Sequence, residues 1–104
     1  MFTFDIEQWD RETGAWSDRT FGHNRRPRGP IKHLEKEVEE LLADLYNDEE
    51  YADCMLLLID AWRLHGGTIA TLFDAVKAKS EINRGRTWGK PDENGVVEHI
   101  RGKG

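Results

Sequence analysis

Pro30-Ile31-Lys32-His33-Leu34-Glu35-Lys36-Glu37-Val38-Glu39-Glu40-Leu41-Leu42-Ala43-Asp44-Leu45-Tyr46 is the stretch on which the fold turns. Ile31, Leu34, Val38, Leu41, Leu42 and Leu45 recur at i, i+3, i+4 and i+7, the period of an amphipathic helix. Pro30 suits the first position of that helix, where the N–H it lacks would have no intrahelical partner. The pattern runs out near Tyr46-Asn47. Asp48 is then a good N-cap for a further helix, with Glu49 and Glu50 in its first turn. Tyr51, Met55, Leu58, Ile59 and Trp62 give that helix an apolar face, and Gly66-Gly67 stops it. The link between the two helices is short, so they are expected to pack as an antiparallel hairpin.

Working outward, residues 4–20 read as a preceding helix, interrupted by Gly14, with Phe4, Trp9, Trp16 and Phe21 as the large apolar residues in and just after it. The loop 22–29 is rich in turn formers and arginine. Thr68 can cap a last helix whose stripe is Ile69, Leu72, Phe73 and Val76, running to about Arg84. The tail 87–104 holds Pro91, Asn94-Gly95 and Val96-Val97. It predicts either a turn with a brief strand or a segment that wraps a neighbouring subunit. The expectation is an all-α chain, a four-helix bundle in one domain over 1–104, with an irregular tail from about 87.

Composition narrows the chemistry. A chain of 104 residues suits one domain, and a small domain lacking disulfides commonly oligomerises. Cys54 is the single cysteine and sits among Met55, Leu56, Leu57 and Leu58, which reads as a core thiol. Met1-Phe2-Thr3-Phe4-Asp5 has no basic start and no long apolar run, and no stretch approaches the ~20 apolar residues of a membrane span. A soluble, cytoplasmic protein is expected. The formal net charge is −5 and is unevenly spread. Residues 25–32 are basic, while 35–53 are strongly acidic with Lys36 the lone basic residue. That balance disfavours a nucleic acid polymer and suits a phosphorylated small molecule carrying divalent cations.

Glu37 and Glu40 lie three apart on the first arm of the hairpin, and Glu50 and Asp53 three apart on the second, so each pair shares a face. Facing each other, four carboxylates would repel unless a cation lay between them. Magnesium is the natural occupant, because it takes oxygen ligands and leaves positions for water and phosphates. The chemistry expected is in-line attack of water on phosphorus, with Glu40 or Glu37 taking the water's proton. Glu35, Glu39, Asp44 and Glu49 read as a solvated face.

Leu34-Glu35-Lys36-Glu37-Val38-Glu39-Glu40-Leu41 followed by Glu50-Tyr51-Ala52-Asp53 resembles the E-E-x-x-E … E-x-x-D signature of the MazG-like, all-α nucleoside triphosphate pyrophosphohydrolases. Phe21-Gly22, Gly29-Pro30, His33-Leu34, then Lys79, Asn83, Arg86 and Trp88, and Gly95-Val96-Val97-Glu98-His99, extend the resemblance to the phage dATP/dGTP diphosphohydrolases, the MazZ-like branch. The resemblance implies hydrolysis of a purine deoxynucleoside triphosphate to the monophosphate, in the service of nucleotide-pool control. It also implies magnesium ions, replaceable by manganese, on Glu37, Glu40, Glu50 and Asp53, and a homodimer or homotetramer. Lys36 stands where the signature has its first glutamate, and is expected to pair with Glu40 or touch a substrate phosphate.

Lys79, Asn83 and Arg86, spaced i, i+4, i+7, read either as a phosphate and sugar grip or as a basic helix end, and the resemblance favours the grip. Trp88 is the first candidate to stack on the base. His33 is expected to pair with Glu37 one turn on. Asp60 needs a partner if buried, a ligand or Lys79. Arg25, Arg26 and Arg28 read as a solvated loop. The rival to catalysis is a helical docking and dimerisation module with an acidic face, which the Lys36 departure would favour.

Overall fold

The computed structural model describes residues 4–101. The readings made on Met1 to Thr3 and on the tail end 102–104 lie outside the described residues. The chain forms two compact units, one ending at Leu72 and one beginning at Phe73.

The first unit holds α1 (Ile6–Phe21), α2 (Arg28–Ala43), α3 (Asp48–His65) and the start of α4 (Ile69–Arg84). Asp5 caps α1 by accepting from the Gln8 N–H at 3.0 Å, and Gly22, at φ 109°, ends it. α2 begins at Arg28, so Pro30 stands third and its missing N–H still falls in the unpaired first turn. α2 ends at Ala43, before the apolar stripe does: Asp44 leaves helical geometry at φ −150°, and its N–H bonds the Leu41 carbonyl at 3.0 Å. Asn47, and not Asp48, caps α3, accepting from the Glu49 N–H at 3.0 Å. Asn47 takes the extended backbone a cap requires, which draws Asp48, Glu49 and Glu50 together into the positive end of the helix dipole. Gly66, left-handed at φ 115°, closes α3 as expected. The Trp62 indole N–H then clasps the following turn by donating to the Thr68 carbonyl at 2.9 Å.

α2 and α3 pack as the hairpin foreseen, and α1 crosses α3. The seam of the hairpin takes only part of the apolar stripe. Its half-buried positions are Leu34, Glu37 and Leu41 on α2, and Glu50, Cys54 and Leu57 on α3. Two of these are carboxylates, so the acidic cluster is embedded in helix packing and not laid on top of it. Much of the rest of the two apolar faces is exposed: Val38, Leu42, Tyr51, Met55 and Leu58 all are, Leu42 at 62 %. Among the described residues no large side chain is fully buried, and the buried hydrophobics are Ala61 and Ile69.

α1 also turns an unexpected face inward. Its buried residues are Asp10, Gly14 and Ser17, one stripe at i, i+4, i+7, whereas Trp16 and Phe21 are exposed. Gly14 is required there, because a Cβ would lie 2.5 Å from the Arg63 Cδ. Asp10 reaches the start of α4, accepting from the Ile69 N–H at 2.9 Å.

In the second unit α4 runs to Arg84, as the sequence indicates. The tail turns at Asp92, whose carboxylate accepts from the Asn94 and Val96 N–H groups, with Gly95 at φ 80°. It comes back as a single antiparallel bridge, Trp88 to His99; Val96-Val97 forms no strand. Among the described residues the molecule is therefore all-α, and no helix is long and apolar enough to cross a membrane.

Candidate active site

Glu37, Glu40 and Glu50 each offer a carboxylate oxygen, and the three lie within 4.8 Å of one another. Two adjoining turns of α2 and the first turn of α3 deliver them, which the hairpin geometry makes possible. Burial and crowding show in their chemistry. The Glu37 carboxyl is raised above its ordinary value, first by its hydrogen bond with Glu40, then by burial. The Glu50 carboxyl is raised by burial first, then by the charges of Glu40 and Asp53. One Glu50 oxygen, Oε2, is buried with no hydrogen-bond partner. A buried carboxylate oxygen without a partner is costly, and a divalent cation would satisfy it. The donor set, all hard oxygens with Glu40 exposed, suits magnesium or manganese, which keep positions for phosphate. Asp53 falls outside the tight group of three. Its charge is nevertheless felt by both Glu37 and Glu50, so it borders the same centre.

Of the neighbours, His33 takes the partner the sequence offers it. His33 Nε2 pairs with Glu37 Oε1 at 3.1 Å. Lys36 is exposed on α2 and, among the described residues, forms no ion pair with Glu40; the nearby lysine pair is Lys32 with Glu35. The Cys54 thiol is pushed up by burial and then by the surrounding carboxylates, so it stays protonated and unreactive, as a core thiol should.

A cleft of about 320 Å³ opens beside the carboxylates, bounded by α1, α2 and α3, with Glu37, Asp53, Trp16, Ser17 and Arg63 in its lining. Small-molecule sites begin at about this size. Trp16 and Phe21 meet edge to face, 5.4 Å between centroids. Sequence reasoning missed what holds this wall. Arg25 Nη1 donates to Asp60 Oδ2 at 2.8 Å, and Arg63 Nη2 donates to Asp60 Oδ1 at 2.9 Å and to Asp18 Oδ1 at 3.0 Å. The partners Asp60 takes are thus two arginines, and Arg25 is no solvated loop residue. Burial by itself would raise the Asp60 carboxyl, but the hydrogen bonds from Arg25 and Arg63 outweigh it and hold the group low.

In the second unit, Asn83 is the hub of the predicted grip. Arg86 Nη1 donates to its Oδ1 at 3.5 Å, and the Trp88 indole N–H donates to its carbonyl at 2.9 Å. Lys79 and Asn83 line one shallow groove. Trp88 meets His99 edge to face, 6.0 Å between centroids.

A family model described as dATP/dGTP pyrophosphohydrolase matches residues 9–104. The chain belongs to that family. This makes it an enzyme, a hydrolase of the dATP/dGTP pyrophosphohydrolase type, and sets aside the docking-module alternative. The dATP/dGTP diphosphohydrolase of Cyanophage S-2L is 34 % identical over 99 residues, covering 93 % of this chain and 90 % of the relative. The dATP/dGTP diphosphohydrolase of Salmonella phage PMBT28 is 41 % identical over 87 residues, 83 % of this chain, which spans 28 % of that longer protein. The structure of the Cyanophage S-2L MazG-like pyrophosphohydrolase, bound to dGDP and three catalytic Mn2+ ions per active site, superposes with a TM-score of 0.77 at 34 % identity, covering 97 % of this chain and 98 % of that one.

Proposed function

We propose that this dATP/dGTP pyrophosphohydrolase family member hydrolyses dATP and dGTP to their monophosphates, with Mg2+, or Mn2+ in its place, held by Glu37, Glu40, Glu50 and Asp53. The convergence of three carboxylates around an orphaned buried oxygen carries the reading, and the manganese ions of the cyanophage structure support it. Divalent cations bound there would neutralise phosphate charge and acidify the attacking water. Glu37, with its raised carboxyl, and Glu40, exposed beside it, are the two groups placed to take the water's proton. His33 holds Glu37 from outside the cluster and fixes its direction. Lys36, Lys79, Asn83, Arg86 and Trp88 are the proposed substrate-binding residues, cationic and amide groups for phosphate and sugar and an indole for the base. The role would be nucleotide-pool control in the host cytoplasm, in keeping with phage relatives.

The test is a panel of dATP, dGTP, dCTP and dUTP with Mg2+, Mn2+ or EDTA, reading monophosphate, pyrophosphate and phosphate separately. Purine turnover that stops with EDTA is the expected result; turnover unaffected by EDTA, or confined to pyrimidines, would overturn the reading. Pyrophosphate as the first product means one cut at the α-phosphorus, and a diphosphate intermediate means two.

The metal-free protein has its own pH signature. Glu37 and Glu50 bind protons more tightly folded than unfolded. The stability linked to them is therefore full below the ordinary carboxyl value of 4.5 and is lost as pH rises through their raised values. The rise in Tm on adding Mg2+ or Mn2+ should accordingly be larger at pH 7 than at pH 5. An equal rise at both, read by thermal shift, would count against these ligands.

The exposed stripe of Val38, Leu42, Tyr51, Met55 and Leu58 supports assembly with further copies of the chain, as dimer or tetramer. Leu42→Glu should lower the mass measured by light scattering; an unchanged mass places the interface elsewhere.

A further inference from the structure

Resting on that reading, we infer that Ser17 reads the C6 substituent of the purine, and that its hydroxyl is what lets one cleft take both a 6-amino and a 6-oxo base. Two buried polar side chains are found among the described residues, Asp10 and Ser17, and both line the cleft. Asp10 is engaged, with an oxygen on the Ile69 N–H. The other charged groups on that wall, Asp60 and Arg63, are bonded to each other and to Arg25 and Asp18. Ser17 is 6 % exposed, and among the described residues its hydroxyl has no hydrogen-bond partner. A helical serine commonly bonds back to a carbonyl of the preceding turn, as Ser80 does to Lys77 at 2.9 Å. Ser17 instead keeps its donor and its acceptor for whatever enters the cleft.

Glu37 and Asp53 line the cleft together with residues of α1, so a nucleotide whose phosphates lie against those carboxylates can bring its base to α1. Adenine presents an amino donor at C6, and guanine presents a carbonyl acceptor at the same position. A carboxylate there would accept from adenine and repel guanine, and a guanidinium would do the reverse. A hydroxyl rotates to accept from one and donate to the other.

The experiment compares wild type and Ser17→Ala on dATP, dGTP and the 2′-deoxyribosylpurine triphosphate that carries only hydrogen at C6. Alanine keeps helix propensity, so the fold is retained. The expected result is a loss of about tenfold in kcat/KM for dATP and for dGTP, carried by KM, with no loss for the C6-unsubstituted substrate. In wild type, that substrate should itself fall behind both natural purines. Unchanged kinetics for dATP and dGTP overturn the inference, as does an equal loss on all three substrates, which a structural role would produce. Absence of any wild-type purine turnover would instead sink the functional reading itself, and this inference with it.

Discussion

Glu40→Gln is expected to reduce dGTP turnover by about three orders of magnitude while leaving the four helices intact, within the range that positioned acid–base groups supply. Glu40 is the exposed member of the carboxylate trio, so exchanging its oxygen for an amide empties no core. Its influence on the other two is electrostatic. It hydrogen-bonds Glu37 and repels it, and its charge raises Glu50. Glutamine keeps the shape and removes that charge. The metal-free variant should therefore melt no lower than wild type, since a repulsion has been relieved. The increase in Tm on adding Mn2+ should shrink, because a cation ligand has been lost. The two readouts move in opposite directions, which separates a damaged site from a damaged fold. Turnover within tenfold of wild type would remove Glu40 from the chemistry.

The hairpin was legible because a sequence shows periodicity directly: the stripe from Ile31 to Leu45 declares a helix, and the spacing on the two arms puts Glu37 with Glu40 and Glu50 with Asp53, of which the structure brings Glu37, Glu40 and Glu50 together. Four things were not legible. The stripe continues through Leu45, yet α2 stops at Ala43, since a turn was needed before Asn47 could cap the next helix. The periodicity of that stripe does not say which of its residues the seam takes: Leu34 and Leu41 share the seam with the carboxylates, while Val38 and Leu42 are left exposed. The inner face of α1 is polar and small, Asp10-Gly14-Ser17, and a search for apolar periodicity passes over it. The pairing of Arg25 with Asp60 spans 35 residues and that of Arg63 with Asp18 spans 45. No local pattern records a contact at such separation. A clue was nonetheless present: an aspartate inside Leu58-Ile59-Asp60-Ala61 calls for a cation, and Arg25 is among the arginines of the loop between α1 and α2. Which residues touch the nucleotide rests on chemistry and family resemblance, because spacing along one helix cannot locate a substrate.

Arg63→Met should be the most destabilising single exchange in the first unit. The guanidinium joins α1 to α3 by bonding Asp18 and Asp60 together, and its stem lies over Gly14. Methionine fills the stem's volume and leaves both carboxylates short of a partner. Loss of one member of a fully buried pair costs ~3–5 kcal/mol, and of an exposed pair ~0–1 kcal/mol. Arg63 and Asp60 side chains are 21 % and 14 % exposed, and Arg25 still holds Asp60 at 2.8 Å, so about 2 kcal/mol is expected. For a domain of this size that is a fall in Tm of roughly 8–15 °C. The pH dependence has a definite sign. Asp60 is held below its ordinary value of 3.8, so its contribution is present above that value and lost as pH falls through the lower, folded one. The gap between wild type and variant should hold from neutral pH to about 4 and narrow below it. Gly14→Ala reaches the same network from the other helix, because the added Cβ meets the Arg63 Cδ at 2.5 Å and must displace it. The two exchanges should therefore not add. On the Arg63→Met background, whose unbranched thioether can swing aside, Gly14→Ala should cost far less than it does in wild type. Full additivity in urea melts would mean that Gly14 and Arg63 stabilise the α1–α3 contact separately, and that the guanidinium is not what fastens the two helices together.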